Sequence, residues 1–193
     1  AESYKLIRDV NILLDAIPTL NVEQVEKDRI RGEAAFIRAY TYVELAKLYG
    51  GVSLILATQQ YTSDTESLKV PRSTERETWD FIMQELDVAI NSLPESWAGG
   101  ERRATRWAAL ALKSRAALHA ASIAKFGDKA PLSGPAVDQQ LIGIDAGAAS
   151  GYYQACIEAS EEIINSGMFS LYKPLPASQQ EAAENYRQLF ENP

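Results

Sequence analysis

A chain of 193 residues with 46% hydrophobic and 23% charged residues is long enough for one sizeable core and too apolar for wholesale disorder. Its net charge of −7 argues against nucleic acid as a partner, since phosphate binding needs a basic face, and the short basic cluster Arg102-Arg103 with Arg106 does not supply one. One cysteine and one histidine leave no internal disulfide and no ligand set for a structural zinc ion, and no apolar run reaches the length of a membrane span.

Residues 3 to 17 place Tyr4, Ile7, Val10, Leu14 and Ile17 on one helical face, and Pro18 ends that helix. The N-terminal Ala-Glu-Ser-Tyr has neither a basic nor an apolar leader region, so no targeting segment is visible; the chain reads as cytosolic or as a trimmed piece. A second helix runs from Glu23 to Tyr49. Ile30, Ala34, Ile37, Thr41, Leu45 and Leu48 form its expected apolar side, widened by Phe36, Tyr40 and Val43. Gly50 or Gly51 supplies a left-handed cap, and Val52 to Leu56 follows as a short strand-like run before a polar loop over 58–69.

Thr74 and Glu77 have capping-box spacing at the start of a third helix, 74–93. Its stripe contains Trp79, Ile82, Met83, Leu86, Ala89, Ile90 and Leu93, and Pro94 stops it. After a loop over 96–103, Thr105 caps a fourth helix, 105–124. Trp107, Leu110, Ala111, Ser114, Ala117, Leu118 and Ala121 give it a mostly small face suited to close helix approach. Residues 125–151 contain several Gly and Pro and little periodicity, so they read as a long ordered loop or insertion. A fifth helix, 152–166, carries Tyr153, Cys156, Ala159, Ile163 and Ile164, with Gly167 as its cap. The tail around 185–190 is a short amphipathic piece.

The helices pair as 3–17 with 23–49 and 74–93 with 105–124, which leaves 152–166 without a partner. The expected fold is therefore all-α: a tetratricopeptide-like array of antiparallel helix pairs in a right-handed superhelix with long connecting loops. It forms one domain over 1–193 and reads as part of a longer chain.

Few residues offer chemistry. Cys156 falls on an apolar helix face and reads as a small core residue. His119 sits beside the small face of its helix with no partner for catalytic base work. Glu161 with Glu162, Glu181 with Glu184, and Glu33 near Glu44 are carboxylate pairs on single helix faces. Glycoside hydrolysis needs two carboxylates flanking the sugar instead. Gly50-Gly51 and Gly99-Gly100 lack the residues of a phosphate loop, and Asp138, Asp145 and Gly147 do not match a calcium loop. No catalytic residue, metal ligand or cofactor is implied. Trp79 and Trp107 are in phase with helix cores. Trp97, in a loop between two helices, is the candidate for stacking on a sugar ring.

The run Arg31-Gly32-Glu33-Ala34-Ala35-Phe36-Ile37-Arg38-Ala39-Tyr40 through Leu48-Tyr49-Gly50-Gly51-Val52 resembles a signature of the SusD/RagB family. Val70-Pro71-Arg72 with Thr78-Trp79-Asp80-Phe81-Ile82 is similar to a second block, and Glu85-Leu86-Asp87-Val88-Ala89-Ile90 with Leu93-Pro94 to a third. Arg103-Ala104-Thr105-Arg106-Trp107 through Arg115, Ile163-Ile164-Asn165-Ser166-Gly167, and Asn185-Tyr186-Arg187-Gln188-Leu189-Phe190 continue the likeness in order. Ser53 stands where the family usually has Pro, and Arg102 where it has Gly. The resemblance implies a glycan- or nutrient-binding lipoprotein on the bacterial outer-membrane surface, held by a lipid anchor outside these residues. It also implies a role as lid on a TonB-dependent transporter, with the helical repeats contacting the transporter. Much of the family's ligand platform comes from segments outside this sequence, so the resemblance assigns no ligand residue here. From another class, a cytosolic helical-repeat scaffold binding peptides or proteins is the alternative.

Overall fold

The computed structural model describes residues 2–60, 63–99, 102–129, 132–172 and 175–191. It is all-helical, with no strand among the described residues. The helices are α1 Glu2–Ala16, α2 Gln24–Tyr49, α3 Glu75–Ser92, α4 Arg106–Phe126, the single turn α5 Pro135–Asp138, α6 Ala149–Asn165 and α7 Gln179–Glu191. The five long helices α1, α2, α3, α4 and α6 pack one on the next in that order. The most extensive contacts are α2 with α3 and α4 with α6, so the pairing is offset from the sequence expectation and α6 has a full partner.

The offset follows from alanine. On α2 the buried stripe is Ala35, Ala39, Tyr42 and Ala46, joined by Ala34, Thr41, Val43 and Leu45. Ile37, Tyr40 and Leu48, expected inside, are 40%, 51% and 73% exposed. On α4, Ala109, Leu112, Ala116, Ala120 and Ala124 are buried, whereas Ala111 and Leu118 are not. Small residues let two backbones approach closely, and the contact area gained outweighs burial of a few large side chains elsewhere.

Two core clusters result. The first gathers Ile7, Tyr42, Trp79, Ile82, Leu86, Ala116, Ala120 and Tyr152. The second gathers Ala35, Ala89, Ile90, Trp107, Leu110 and Ala159. Trp79 and Trp107 therefore anchor separate clusters and do not face each other across one helix pair.

Caps form where the sequence places them. Thr74 and Glu77 make a reciprocal capping box on α3, and Thr105 Oγ accepts from the Ala108 N–H at the start of α4. Residues 125–151 hold the end of α4, a 3-10 turn at Gly127–Lys129, α5, a further turn at Ala146–Ala148 and the first turn of α6. Residues 100, 101, 130 and 131 of the two long connections lie outside the described set.

Candidate functional site

The residues that carry the family signature meet at a structural junction. Gly50 (φ 71°) ends α2, and a Cβ there would lie 2.3 Å from the Leu141 carbonyl oxygen. At Gly51 a Cβ would lie 2.1 Å from the Ser73 carbonyl oxygen. Two backbones thus press on the double glycine, one from the 140–143 turn and one from the entry to α3. The Gly51 N–H donates to Leu141 O at 2.7 Å, and Ser73 N–H to Val52 O at 3.0 Å. Arg72 closes the junction, donating to Gly51 O at 2.8 Å and Tyr49 O at 2.7 Å, and so satisfies two carbonyls at the C-terminal end of α2. Glu75, buried at the start of α3, accepts from the Gly143 N–H at 2.5 Å.

Apart from the Ser73–Val52 backbone bond, side chains take the hydrogen bonds of the 52–56 run, which pairs with no strand among the described residues. Val52 N–H donates to Thr78 Oγ at 3.2 Å and Ile55 N–H to the Tyr42 hydroxyl at 2.8 Å. Ser53 O accepts from the Tyr4 hydroxyl at 3.1 Å, and Ile55 O from Asn11 Nδ2 at 2.9 Å. Burial pushes the Tyr42 phenol up to about 12, against which the hydrogen bond with Ile55 acts.

Beside it lies an internal ion pair. Arg38 Nε and Nη2 donate to the two Glu85 oxygens at 2.6 and 2.9 Å, and Nη1 donates to Asn11 Oδ1 at 2.7 Å. This ties α1, α2 and α3 together. In the sequence Arg38 and Glu85 stand out only as members of family blocks, because nothing in a single helix announces which charge will face another across the array.

Open surface for a ligand lies on either side of a ridge on α2 made by Tyr40 and Glu44. One groove, about 460 Å³, runs between α1 and α2 and is lined by Glu2, Lys5, Leu6, Asp9 and Thr41 as well as the ridge. The other, about 400 Å³, runs between α2 and α4. Lys47, Arg115, Leu118, His119 and Ser122 line it, and Trp79 forms its floor. The His119 ring rests against Trp79 with centroids 5.2 Å apart. Among the described residues no cluster of His, Cys, Asp or Glu is arranged to hold a metal ion.

The sequence-nominated Trp97 is half-buried. Its indole N–H donates to Ala104 O at 2.8 Å, and the Arg103 guanidinium lies 3.6 Å from its ring centroid. Arg103 is in turn held by both Glu33 oxygens, at 2.9 and 2.5 Å. Trp97 thus pins the α3–α4 connection to α2, and a sugar stacking on the Arg103 side would have to displace that guanidinium. Cys156 is half-buried with its sulfur 3.5 Å from Ser114 Oγ.

Comparison with known proteins places the chain. The profile of a SusD-like family described as "Starch-binding associating with outer membrane" matches residues 1–118. A SusD-like protein of Bacteroides ovatus is 28% identical over 109 residues, 55% of this chain and 19% of the relative. SusD-like protein P38 of Formosa agariphila is 29% identical over 92 residues, 48% of this chain and 17% of the relative. The crystal structure of a SusD-like protein from Bacteroides fragilis superposes with a TM-score of 0.70 at 30% identity, covering 97% of this chain and 29% of that one. A laminarin-binding SusD-like protein shares the fold alone, with a TM-score of 0.57 at 24% identity over 62% of this chain and 26% of its own. The chain spans about a fifth of the length of the curated relatives and under a third of these two solved ones. The signature blocks, the junction they build and the matched profile together establish that this chain belongs to the SusD-like family.

Proposed function

We propose that this chain is the tetratricopeptide-like scaffold portion of a glycan-binding protein on the outer face of a bacterial outer membrane. A lipid anchor outside these residues holds it there, and its partner is a TonB-dependent transporter. It binds and does not turn over: the matched family is described by starch binding, not by hydrolysis.

The observation that carries this reading is the family profile matched over residues 1–118, whose description couples starch binding to the outer membrane. The structure is compatible with it, since no helix of the described residues is long and apolar enough to cross a membrane. An attachment by lipid or by a partner suits such a helical body.

The test is fractionation and binding of the longer protein that contains this chain. Outer-membrane recovery, co-purification with a TonB-dependent transporter and retardation in gels containing starch or another polysaccharide are expected, with no reducing ends released. Recovery in the cytosol with no polysaccharide retention would sink the reading in favour of a peptide-binding scaffold.

A further inference from the structure

We propose that the groove between α2 and α4 is a binding site for an anionic sugar, a uronate residue of an acidic glycan, with Arg115 taking the carboxylate and Tyr40 taking the ring face. The inference rests on the glycan-binding reading above and adds to it the class of sugar and the place.

The first observation is a cation without a counter-charge. In a chain with 26 acidic and 19 basic residues, Arg29, Arg31, Arg38, Arg76, Arg103, Arg106 and Arg187 each face a carboxylate, whereas Arg8 and Arg115 face none among the described residues. Arg115, exposed on α4, makes no ion pair and no hydrogen bond among the described residues. It lines the groove together with His119 and Ser122, which follow it at i+4 and i+7 on the same helix face. Lys47 and Glu44, which also line this groove, pair with each other at 2.9 Å, so Arg115 is its unbalanced charge.

The second observation is the opposite wall. Tyr40 is 51% exposed and borders the same groove. A pyranose presents apolar C–H faces and, when it is a uronate, a carboxylate at its edge. The face suits an aromatic ring, and the edge suits a guanidinium, whose planar fork donates to both carboxylate oxygens. At about 400 Å³ the groove is near the small end of the range for ligand pockets, which suits a short stretch of sugar.

The third is the charge on the other side of the ridge. Apart from Glu44, which Lys47 balances, the α1–α2 groove is lined by Glu2 and Asp9 against Lys5, so it disfavours a carboxylate. The sign changes across Tyr40, and an acidic glycan has one preferred side.

Calorimetric titration of this chain with tetragalacturonate, and with its full methyl ester as the neutral match, tests the site at low and high salt. Tetragalacturonate is expected to bind about tenfold tighter than the ester, and Arg115→Gln to lose about tenfold, the order of one charge-assisted contact. Tyr40→Ala should weaken binding as well. Lys125→Gln, further along α4, should leave it unchanged. Arg115 and Lys125 are both exposed, so these variants keep the fold. Equal affinity of wild type and Arg115→Gln, or no binding of tetragalacturonate, overturns the site. So does equal competition by polyglutamate, which would show that the groove reads charge alone. Retention of neutral polysaccharide by the longer protein alongside any of those results leaves the glycan-binding reading standing. Loss of all polysaccharide retention removes both.

Discussion

Arg38 and Glu85 are held side chain to side chain with only 11% and 10% of their side-chain surfaces exposed, and the remaining guanidinium nitrogen donates to Asn11. Removing one partner strands a charge inside the array. Glu85→Gln is therefore expected to cost about 3–5 kcal/mol in urea unfolding, while the double change Arg38→Met with Glu85→Leu recovers most of it. Equal losses in the single and double variants would show that packing, and not the stranded charge, sets the cost. Tyr42 makes a second residue-scale case. Its folded-state pKa lies near 12, above the ordinary value of 10.0, because burial disfavours the phenolate. The neutral form is thus the one the fold stabilises. That stability is fully present below pH 10.0 and is lost as pH rises towards 12. Tyr4 and Tyr152 are shifted the same way, chiefly by burial, so the alkaline loss is shared. Melts across this range should decline for wild type and decline less steeply for Tyr42→Phe, which removes one of the three groups; identical slopes would count against the assignment.

At the scale of elements, the double glycine after α2 separates two uses of glycine. Gly51 meets the Ser73 and Glu75 backbone, so Gly51→Ala forces the α2–α3 connection apart, at about 1–3 kcal/mol or more. Gly167, which caps α6 with φ 68°, has nothing within 4 Å of its would-be Cβ. Gly167→Ala costs only the backbone strain, about 1 kcal/mol. Thermal melts of the pair should rank them in that order, and a larger loss at Gly167 would contradict the junction. The sequence showed that both positions want glycine but not why they differ, since the pressing backbones lie at 73–75 and 140–141. The same limit explains the rest of what was and was not legible. Helix existence, the Thr74–Glu77 box and the buried stripe of α3 were readable because they depend on neighbours three or four residues away. The inward face of α2 was misjudged because size favoured Ile37 and Leu48 over Ala35 and Ala39, and only the partner helix decides that close approach wins. A loop tryptophan such as Trp97 reads as a candidate for stacking until Glu33, from α2, holds Arg103 against its ring. The α2–α4 groove was illegible for the same reason. It draws Tyr40, Lys47 and Arg115 from two helices separated by a third.

Across the whole molecule, packing is uneven, and that sets where the chain opens first. The two clusters unite α1 to α4 with α6, and Trp79, Ile82, Leu86 and Ala89 of α3 are all fully buried. Among the described residues, helix α7 packs extensively on no other helix. It borders a small apolar cleft with Leu171, Tyr172 and Pro176, while Tyr186 and Phe190 stack edge to face with exposures of 69% and 67%. A helix of 13 residues that buries little beyond Asn185 is marginal in water. Local opening free energy follows buried contact, so the α7 amides should exchange hydrogen with little protection, whereas those of α3 should approach the global unfolding value. Ending the chain at Tyr172 should accordingly shift the melting temperature by less than about 2–4 °C, the change that ~1 kcal/mol produces in a chain of this size. Trp79→Ala, in the centre of the first cluster, should cost about 3–5 kcal/mol and lower protection throughout α2, α3 and α4 together. Protection of α7 equal to that of α3, or a large destabilisation on truncation, would mean that the C-terminal helix belongs to the cooperative core and that stability runs evenly along the array.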